Sequence, residues 1–170
     1  MSKQFVDCMF KATTLWPLYC DYGLHGGGLH SHGPGGKLNV HLDYAIHPKL
    51  EQQRTLNLIV YLNKNWKEEW GGELELWSHD SNKNQPKECM KRIIPKFNRA
   101  VLFDTTQNSW HGLPEELKCP PGESRKSIAV YYLTYVKQPW EDRKRAYFAP
   151  YKEQKNDQLV LDLIEKRVKS

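Results

Sequence analysis

From Lys37 onward the chain is cut into short β-forming runs by turn residues at close intervals, and this rhythm leaves few folds open. Lys37 to Asp43 alternates, Thr55 to Leu62 is dense in β-formers, and Glu73-Leu-Glu-Leu-Trp77 alternates strictly. Arg99-Ala-Val-Leu-Phe103 and Ser127-Ile-Ala-Val-Tyr-Tyr-Leu-Thr134 are short apolar runs. Turn signals at Asn63 to Asn65, Gly71-Gly72, Pro95 to Asn98 and Cys119-Pro-Pro-Gly122 separate them. Five or six strands at this spacing predict an all-β barrel or sandwich. No internal repeat is visible.

The flanks read differently. Residues 24–36 are so rich in glycine that they are expected to form a loop, and Ser78 to Lys87 reads as a second, polar loop. Phe5, Val6, Met9, Phe10 and Leu15 recur at roughly helical spacing. At the far end Asp157 is placed to cap a helix running through Val168. Its stripe of Leu159, Val160, Leu163, Ile164 and Val168 is expected to pack against the barrel.

Composition excludes several classes of function. A chain of 170 residues is expected to be one domain able to bury its own core, and 12% aromatic residues is too many for a disordered chain. Apolar runs such as Leu58 to Leu62 fall far short of the roughly 20 residues that span a membrane. The first residues, Met1-Ser-Lys-Gln-Phe-Val-Asp-Cys8, lack the apolar core of a signal peptide, so neither membrane insertion nor export is expected. Cys8, Cys20, Cys89 and Cys119 form no CxxC pair and are expected to be free thiols in a reducing cytoplasm. The net charge of +5 comes from mixed charges without a basic stripe interleaved with aromatics, so no nucleic-acid partner is expected.

The chemistry concentrates in two histidines and a carboxylate. In His41-Leu42-Asp43, at the end of a predicted strand, alternation puts His41 and Asp43 on one face with Leu42 opposite. His111 follows the strand-like Ala100 to Asp104 segment. Two histidines and a carboxylate converging on one barrel face would form a facial triad, which leaves positions open on a non-haem Fe(II) for O₂ and a co-substrate. Arg125 opens the last long strand, expected to form a hairpin with the His111 strand across the Pro-Pro-Gly loop. A guanidinium deep in a barrel needs an anionic partner, and a carboxylate fits its fork. A dicarboxylic keto acid would chelate the metal at one end and meet Arg125 at the other.

With these residues in place the sequence resembles the Fe(II)/2-oxoglutarate-dependent oxygenases, and most nearly their prolyl 4-hydroxylase-like branch. The resemblance rests on His41-x-Asp43, Arg54-Thr-Leu-Asn-Leu-Ile-Val-Tyr-Leu-Asn-Lys-Asn-Trp66, Gly71-Gly-Glu-Leu-Glu-Leu-Trp77, Pro95-Lys-Phe-Asn-Arg-Ala-Val-Leu-Phe103, His111 and Arg125-Lys-Ser-Ile-Ala-Val-Tyr-Tyr-Leu133. It implies a mainly β fold, a double-stranded β-helix or jelly roll with flanking helices. The β-helix core would run over about residues 28–136 and a C-terminal appendage over about 137–170, in one oxygenase domain of residues 1–170. It also implies that His41, Asp43 and His111 ligate iron and that Arg125 and Tyr61 hold the far carboxylate of 2-oxoglutarate. Ile59, Leu74, Leu113 and Ala129 would line the pocket, and Trp77, Trp110 and Tyr131 would face substrate. Fe(II), 2-oxoglutarate and O₂ are the implied cofactors and co-substrates, with ascorbate as a supporting reductant. The implied reaction is hydroxylation of an unactivated C–H bond with release of succinate and CO₂, and the nearest branch suggests a prolyl residue of a peptide as substrate. An intact Asp43 argues against halogenation, which resembles sites whose carboxylate is replaced by a small residue.

Two departures accompany the resemblance. The stretch before His41 is shorter than relatives usually carry, so the chain reads as a compact or a truncated version. The spacing from His111 to Arg125 is longer than in the shortest members. His30, His32 and Lys37 receive no role, and His25, His30, His32 and His47 read as solvated loop histidines, as does His79 beside Asp80. Trp66 and Trp70 are expected to pack outside the barrel. A free amino acid, a sugar or another small metabolite remains open as substrate. A non-catalytic jelly-roll binding protein and a zinc or manganese cupin-like site are the competing classes. Iron-dependent succinate production would separate them.

Overall fold

The computed structural model describes residues 2–106, 108–136 and 143–169. Helix α1 (Lys3–Thr13) starts where the Ser2 side chain accepts from the Phe5 backbone N–H, and it ends at Thr14 in a left-handed conformation. Ten strands follow among the described residues: β1 (Tyr19–Cys20), β2 (Gly28–His32), β3 (Leu38–Leu42), β4 (Gln53–Tyr61), β5 (Leu74–Asp80), β6 (Gln85–Ile93), β7 (Ala100–Asp104), β8 (Trp110–Leu113), β9 (Arg125–Thr134) and β10 (Tyr147–Phe148). Helix α2 (Gln158–Lys169) closes the described chain. Among the described residues, no helix is long and apolar enough to cross a membrane.

The strands form two antiparallel sheets. One has the order β1-β9-β4-β7, with β2 also paired to β9, and the other has the order β10-β3-β8-β5-β6. Ile59, Tyr61, Phe103 and Ala129 from the first sheet meet Leu74 from the second in a shared core. The result is a double-stranded β-helix with flanking helices. Outside it, α1 buries Met9 against Leu18 and against Leu56 and Tyr132 of the first sheet. On the outer face of the second sheet Val40, Leu42 and Trp110 pack with Ala149. Period-two alternation along β3 and β8 thereby turns His41 and His111 inward.

Four expectations are corrected. Residues 28–32 are a strand, paired residue for residue with Ala129 to Arg125 of β9. A Cβ at Gly27 would sit 2.6 Å from the Ala129 carbonyl oxygen, so this glycine permits close backbone approach. The polar stretch after Trp77 is the β5–β6 hairpin, whose turn is tied by the Asp80 carboxylate accepting from the Asn82 and Lys83 N–H groups. It is polar because β6 is an edge strand. Strands β8 and β9 do not form a hairpin, since they belong to different sheets. The segment between them crosses over, anchored by Leu117 and Cys119 packed with Leu113, Trp66 and Trp70. Finally, Asp157 caps α2 through the Leu159 and Val160 N–H groups, but Leu159, Leu163 and Val168 face solvent. The helix rests on the two-residue β10 and the turn before it, too narrow a support to cover its stripe.

Candidate active site

His41 and His111 are directly opposite each other on β3 and β8, with ring centroids 4.5 Å apart. The Nε2 atoms of His41 and His111 lie 3.7 and 3.6 Å from the two carboxylate oxygens of Asp43. One ligand atom from each of the three residues can be chosen so that all lie within 4.8 Å of one another, and all three residues are buried. The backbone fixes the imidazoles: Nδ1 of His41 is 2.9 Å from the Asn39 carbonyl and Nδ1 of His111 is 2.8 Å from the Ser109 carbonyl. A carbonyl only accepts, so each Nδ1 donates and each Nε2 is the nitrogen turned toward Asp43. Phe148 stacks on His41 and Phe103 meets His111 edge-on, packing both rings from behind.

The electrostatics suit a cation. Burial alone would push the Asp43 carboxyl up, but His111, His41 and Arg54 hold it well below the usual carboxylate range. Burial and the neighbouring His41 pull His111 down to about 4, so it is neutral at pH 7. Tyr131 donates to Asp43 Oδ2 at 2.8 Å, and burial with the adjacent carboxylate keeps its phenol protonated far above its ordinary range.

A cavity of about 430 Å³ opens from these three residues between the sheets. Ile59, Leu74, Leu113, Arg125 and Tyr131 line it, together with His30, His32, Asn57 and Ser127. Tyr61 and Ala129 are buried immediately behind in the shared core. Arg125 is 3% exposed, donates through Nε to the Gly72 carbonyl at 2.7 Å, and has no carboxylate within ion-pair distance among the described residues. Its guanidinium carbon lies 4.9 Å from the Tyr61 ring centre, and the Tyr61 hydroxyl is buried without a hydrogen-bond partner.

Two expected substrate-facing residues lie elsewhere. Trp110 neighbours His111 in β8 and therefore points to the outer face, where its indole N–H donates to His79 Nδ1 and Trp77 packs beside it. Conversely, His30 and His32 are not loop residues. They project from β2 into the cavity, and burial and the Arg125 cation pull both below their ordinary value. The period-two spacing of Leu29-His-Ser-His32 carried that signal, obscured by the surrounding glycines. His47 is buried against Asp21, 3.5 Å away, and takes two backbone N–H groups on Nδ1. Lys37 pairs with Glu116 at the surface.

A jelly roll that carries two histidines and one aspartate at one end of an inter-sheet cavity is a scaffold that could hold a single metal ion. The sequence pattern of the 2OG-Fe(II) oxygenase superfamily matches residues 27–133, and the chain belongs to that superfamily. Among curated relatives, the prolyl 3-hydroxylase OGFOD1 of Mus musculus is 33% identical over 97 residues, covering 57% of this chain and 16% of that protein. Its Xenopus laevis counterpart is 32% identical over 79 residues, covering 46% and 15%. The chain thus spans about one sixth of the length of these relatives. A prolyl 4-hydroxylase from Phytophthora capsici superposes with a TM-score of 0.55 at 20% identity, over 98% of this chain and 50% of its own. The viral collagen prolyl hydroxylase of Paramecium Bursaria Chlorella virus-1 gives 0.50 at 16% identity, over 79% and 68%. These two likenesses speak for the fold.

The residues present fit the cofactors of the superfamily, Fe(II), 2-oxoglutarate and O₂. Two imidazole nitrogens and one carboxylate are the donor set of a facial triad. The Tyr61 hydroxyl and His32 Nδ1 are buried and unpartnered, and beside Arg125 they offer hydrogen bonds to a dicarboxylate.

Proposed function

We propose that this chain hydroxylates a prolyl residue of a peptide or protein, with His41, Asp43 and His111 holding Fe(II) and Arg125 and Tyr61 holding 2-oxoglutarate. The observation that carries this reading is the division of labour across one cavity. The triad lies on or just after strands of the second sheet, while Arg125, without a carboxylate partner among the described residues, and Tyr61 come from the first. The prolyl part rests on the relatives named prolyl 3-hydroxylase.

Bound iron and 2-oxoglutarate together supply the oxidising power to break an unactivated C–H bond, with succinate and CO₂ as co-products. The protein supplies placement. His41 and His111 present Nε2, each ring held through its Nδ1 contact, and Asp43 contributes the negative charge. Arg125 fixes one end of the co-substrate through a charge-assisted contact, so that its other end is aimed at the triad. Ile59, Leu74 and Leu113 keep water from the reacting centre. His30, beside the exposed Leu29, stands where a substrate would enter. Four free cysteines support a reducing compartment such as the cytoplasm.

The test begins without a substrate. Fe(II) and 2-oxoglutarate added anaerobically to metal-free protein should produce the weak visible metal-to-keto-acid absorption band. His111→Ala should abolish it and Arg125→Ala should weaken it. Proline-containing peptides should then gain one oxygen, and NMR of the product distinguishes C3 from C4. Folded wild-type protein without a band would end the oxygenase reading. A band without peptide oxidation, but with oxidation of a free amino acid or sugar, would replace the prolyl substrate.

A further inference from the structure

Arg54 is among the most buried side chains in the molecule, at 1% exposure, yet no carboxylate lies within ion-pair distance of it among the described residues. Its guanidinium carbon sits 3.5 Å from the centre of the Tyr44 ring and 3.6 Å from that of Tyr131, so the cation is clamped between two aromatic faces. One Nη donates to the His25 carbonyl, while Nε has no partner. Two backbone features serve this arrangement. The register between β4 and β9 shifts between Arg54 and Leu56, a bulge that re-aims Arg54 relative to the regular alternation of Asn57, Ile59 and Tyr61. In the loop above, Gly26 has φ of +73°, and a Cβ there would fall 2.9 Å from Arg54 Nη2 and 3.2 Å from the Tyr44 hydroxyl.

The clamped ring is the one whose hydroxyl holds Asp43 Oδ2. We propose that Arg54 and Tyr131 act as a positioning pair for the metal-ligand carboxylate: Arg54 locks the Tyr131 ring, and the Tyr131 hydroxyl occupies Oδ2 so that Oδ1 is presented to the metal. This rests on the reading of His41, Asp43 and His111 as a metal centre. A carboxylate has two equivalent oxygens, and nothing in Asp43 itself selects one. A fixed donor on Oδ2 breaks that symmetry and restrains the side chain in a single orientation, as partners behind a ligand do elsewhere. The cation over the ring also draws electron density from the phenol and makes its O–H a stronger donor.

Mn(II) affinity and the Co(II) absorption spectrum of the full chain test this without turnover. His111→Ala is run first and should lose Mn(II) binding, establishing the metal centre. Tyr131→Phe keeps the ring and removes only the hydroxyl. It should weaken Mn(II) by about 10–100-fold and shift the Co(II) bands, which a merely packing role for the ring would leave in place. Arg54→Met should move both readouts in the same direction, and Arg54→Lys, which keeps the charge without the flat fork, should fall between. The double variant Tyr131→Phe/Arg54→Met should be no weaker than Tyr131→Phe alone, because both act along one route. Should Arg54→Met fail to fold, the near-isosteric Tyr131→Phe still decides. Wild-type affinity and spectrum in Tyr131→Phe, with metal lost in His111→Ala, would overturn the positioning pair and leave the metal centre intact. A wild-type protein that binds neither ion would remove the metal centre and the pair together.

Discussion

At Tyr61 a buried hydroxyl without a hydrogen-bond partner sits beside a buried guanidinium, a costly arrangement for a structural residue. Removing the hydroxyl should therefore help the co-substrate-free protein and harm binding. Tyr61→Phe is expected to leave its melting temperature unchanged or raised, while 2-oxoglutarate affinity falls by about 10–100-fold, as for a lost hydrogen bond to a charged group. Calorimetry with Fe(II) or Mn(II) present reads both. A fall in both quantities would make Tyr61 a core residue only. His111 gives a second expectation. Its unfolded imidazole takes up a proton near the ordinary value of 6.5, and the folded one not until about 4. The unfolded state thus binds more protons in this window, and stability of the metal-free protein is lost as pH falls from about 6.5 towards 4, by about 3 kcal/mol from this residue. His30, His32 and His47, also lowered mainly by burial, add in the same direction. Thermal melts between pH 7.5 and 4.5 should show the loss, and His111→Gln should flatten its slope.

Between β3 and β8 the geometry of single strands becomes the geometry of the site. The pairs Leu38–Leu113 and His41–His111 enclose two residues on β3 but one on β8, so β3 carries a bulge opposite Gly112. A Cβ on Gly112 would fall 2.8 Å from Val40 Cα and 2.9 Å from the Leu38 and Asn39 carbonyl oxygens, all of them backbone. Gly112→Ala must spread the two strands that carry His41 and His111 and lead into Asp43. It is expected to cost about 1–3 kcal/mol, the range for overpacking, and to lower Mn(II) affinity more than a remote substitution of equal cost. Titration alongside denaturant melts checks this. The same elements show what the sequence made legible. The shared face of His41 and Asp43 was readable because a period of two assigns faces without knowledge of neighbours, whereas Arg125 was reached through the family resemblance and through a hairpin that the fold does not contain. The partners of a strand were not readable, because pairing is decided by distant residues. This is why β8 and β9 looked like a hairpin, and why β2, whose glycines serve approach to β9, looked like a loop. Trp110 was misassigned for want of one fact, that β8 begins at Trp110, which sets it opposite to His111. The bulge that re-aims Arg54 has no sequence mark at all.

On the scale of the molecule, the two sheets share a modest apolar core, Ile59, Tyr61, Leu74, Phe103 and Ala129, and then separate around a cavity lined by both polar and apolar groups. The candidate metal ligands lie on or just after strands of one sheet, while Arg125 and Tyr61 project from the other. Metal alone would therefore tie β3 to β8 within one sheet. 2-Oxoglutarate alone would meet Arg125 without a fixed end opposite. Both together would link the sheets, and their stabilisation should exceed the sum of the separate effects. At a free concentration near 100 times its dissociation constant a ligand adds about 2.7 kcal/mol. In a chain of this size that amounts to a rise of about 5–10 °C in melting temperature. Anaerobic melts with Mn(II), with 2-oxoglutarate, and with both should show a small shift, almost none, and a large one. Arg125→Ala should keep the first and lose the increment that 2-oxoglutarate adds to it. Equal increments from 2-oxoglutarate with and without metal would mean that the keto acid binds without reaching the triad, and the cavity would then not join the two sheets through its ligands.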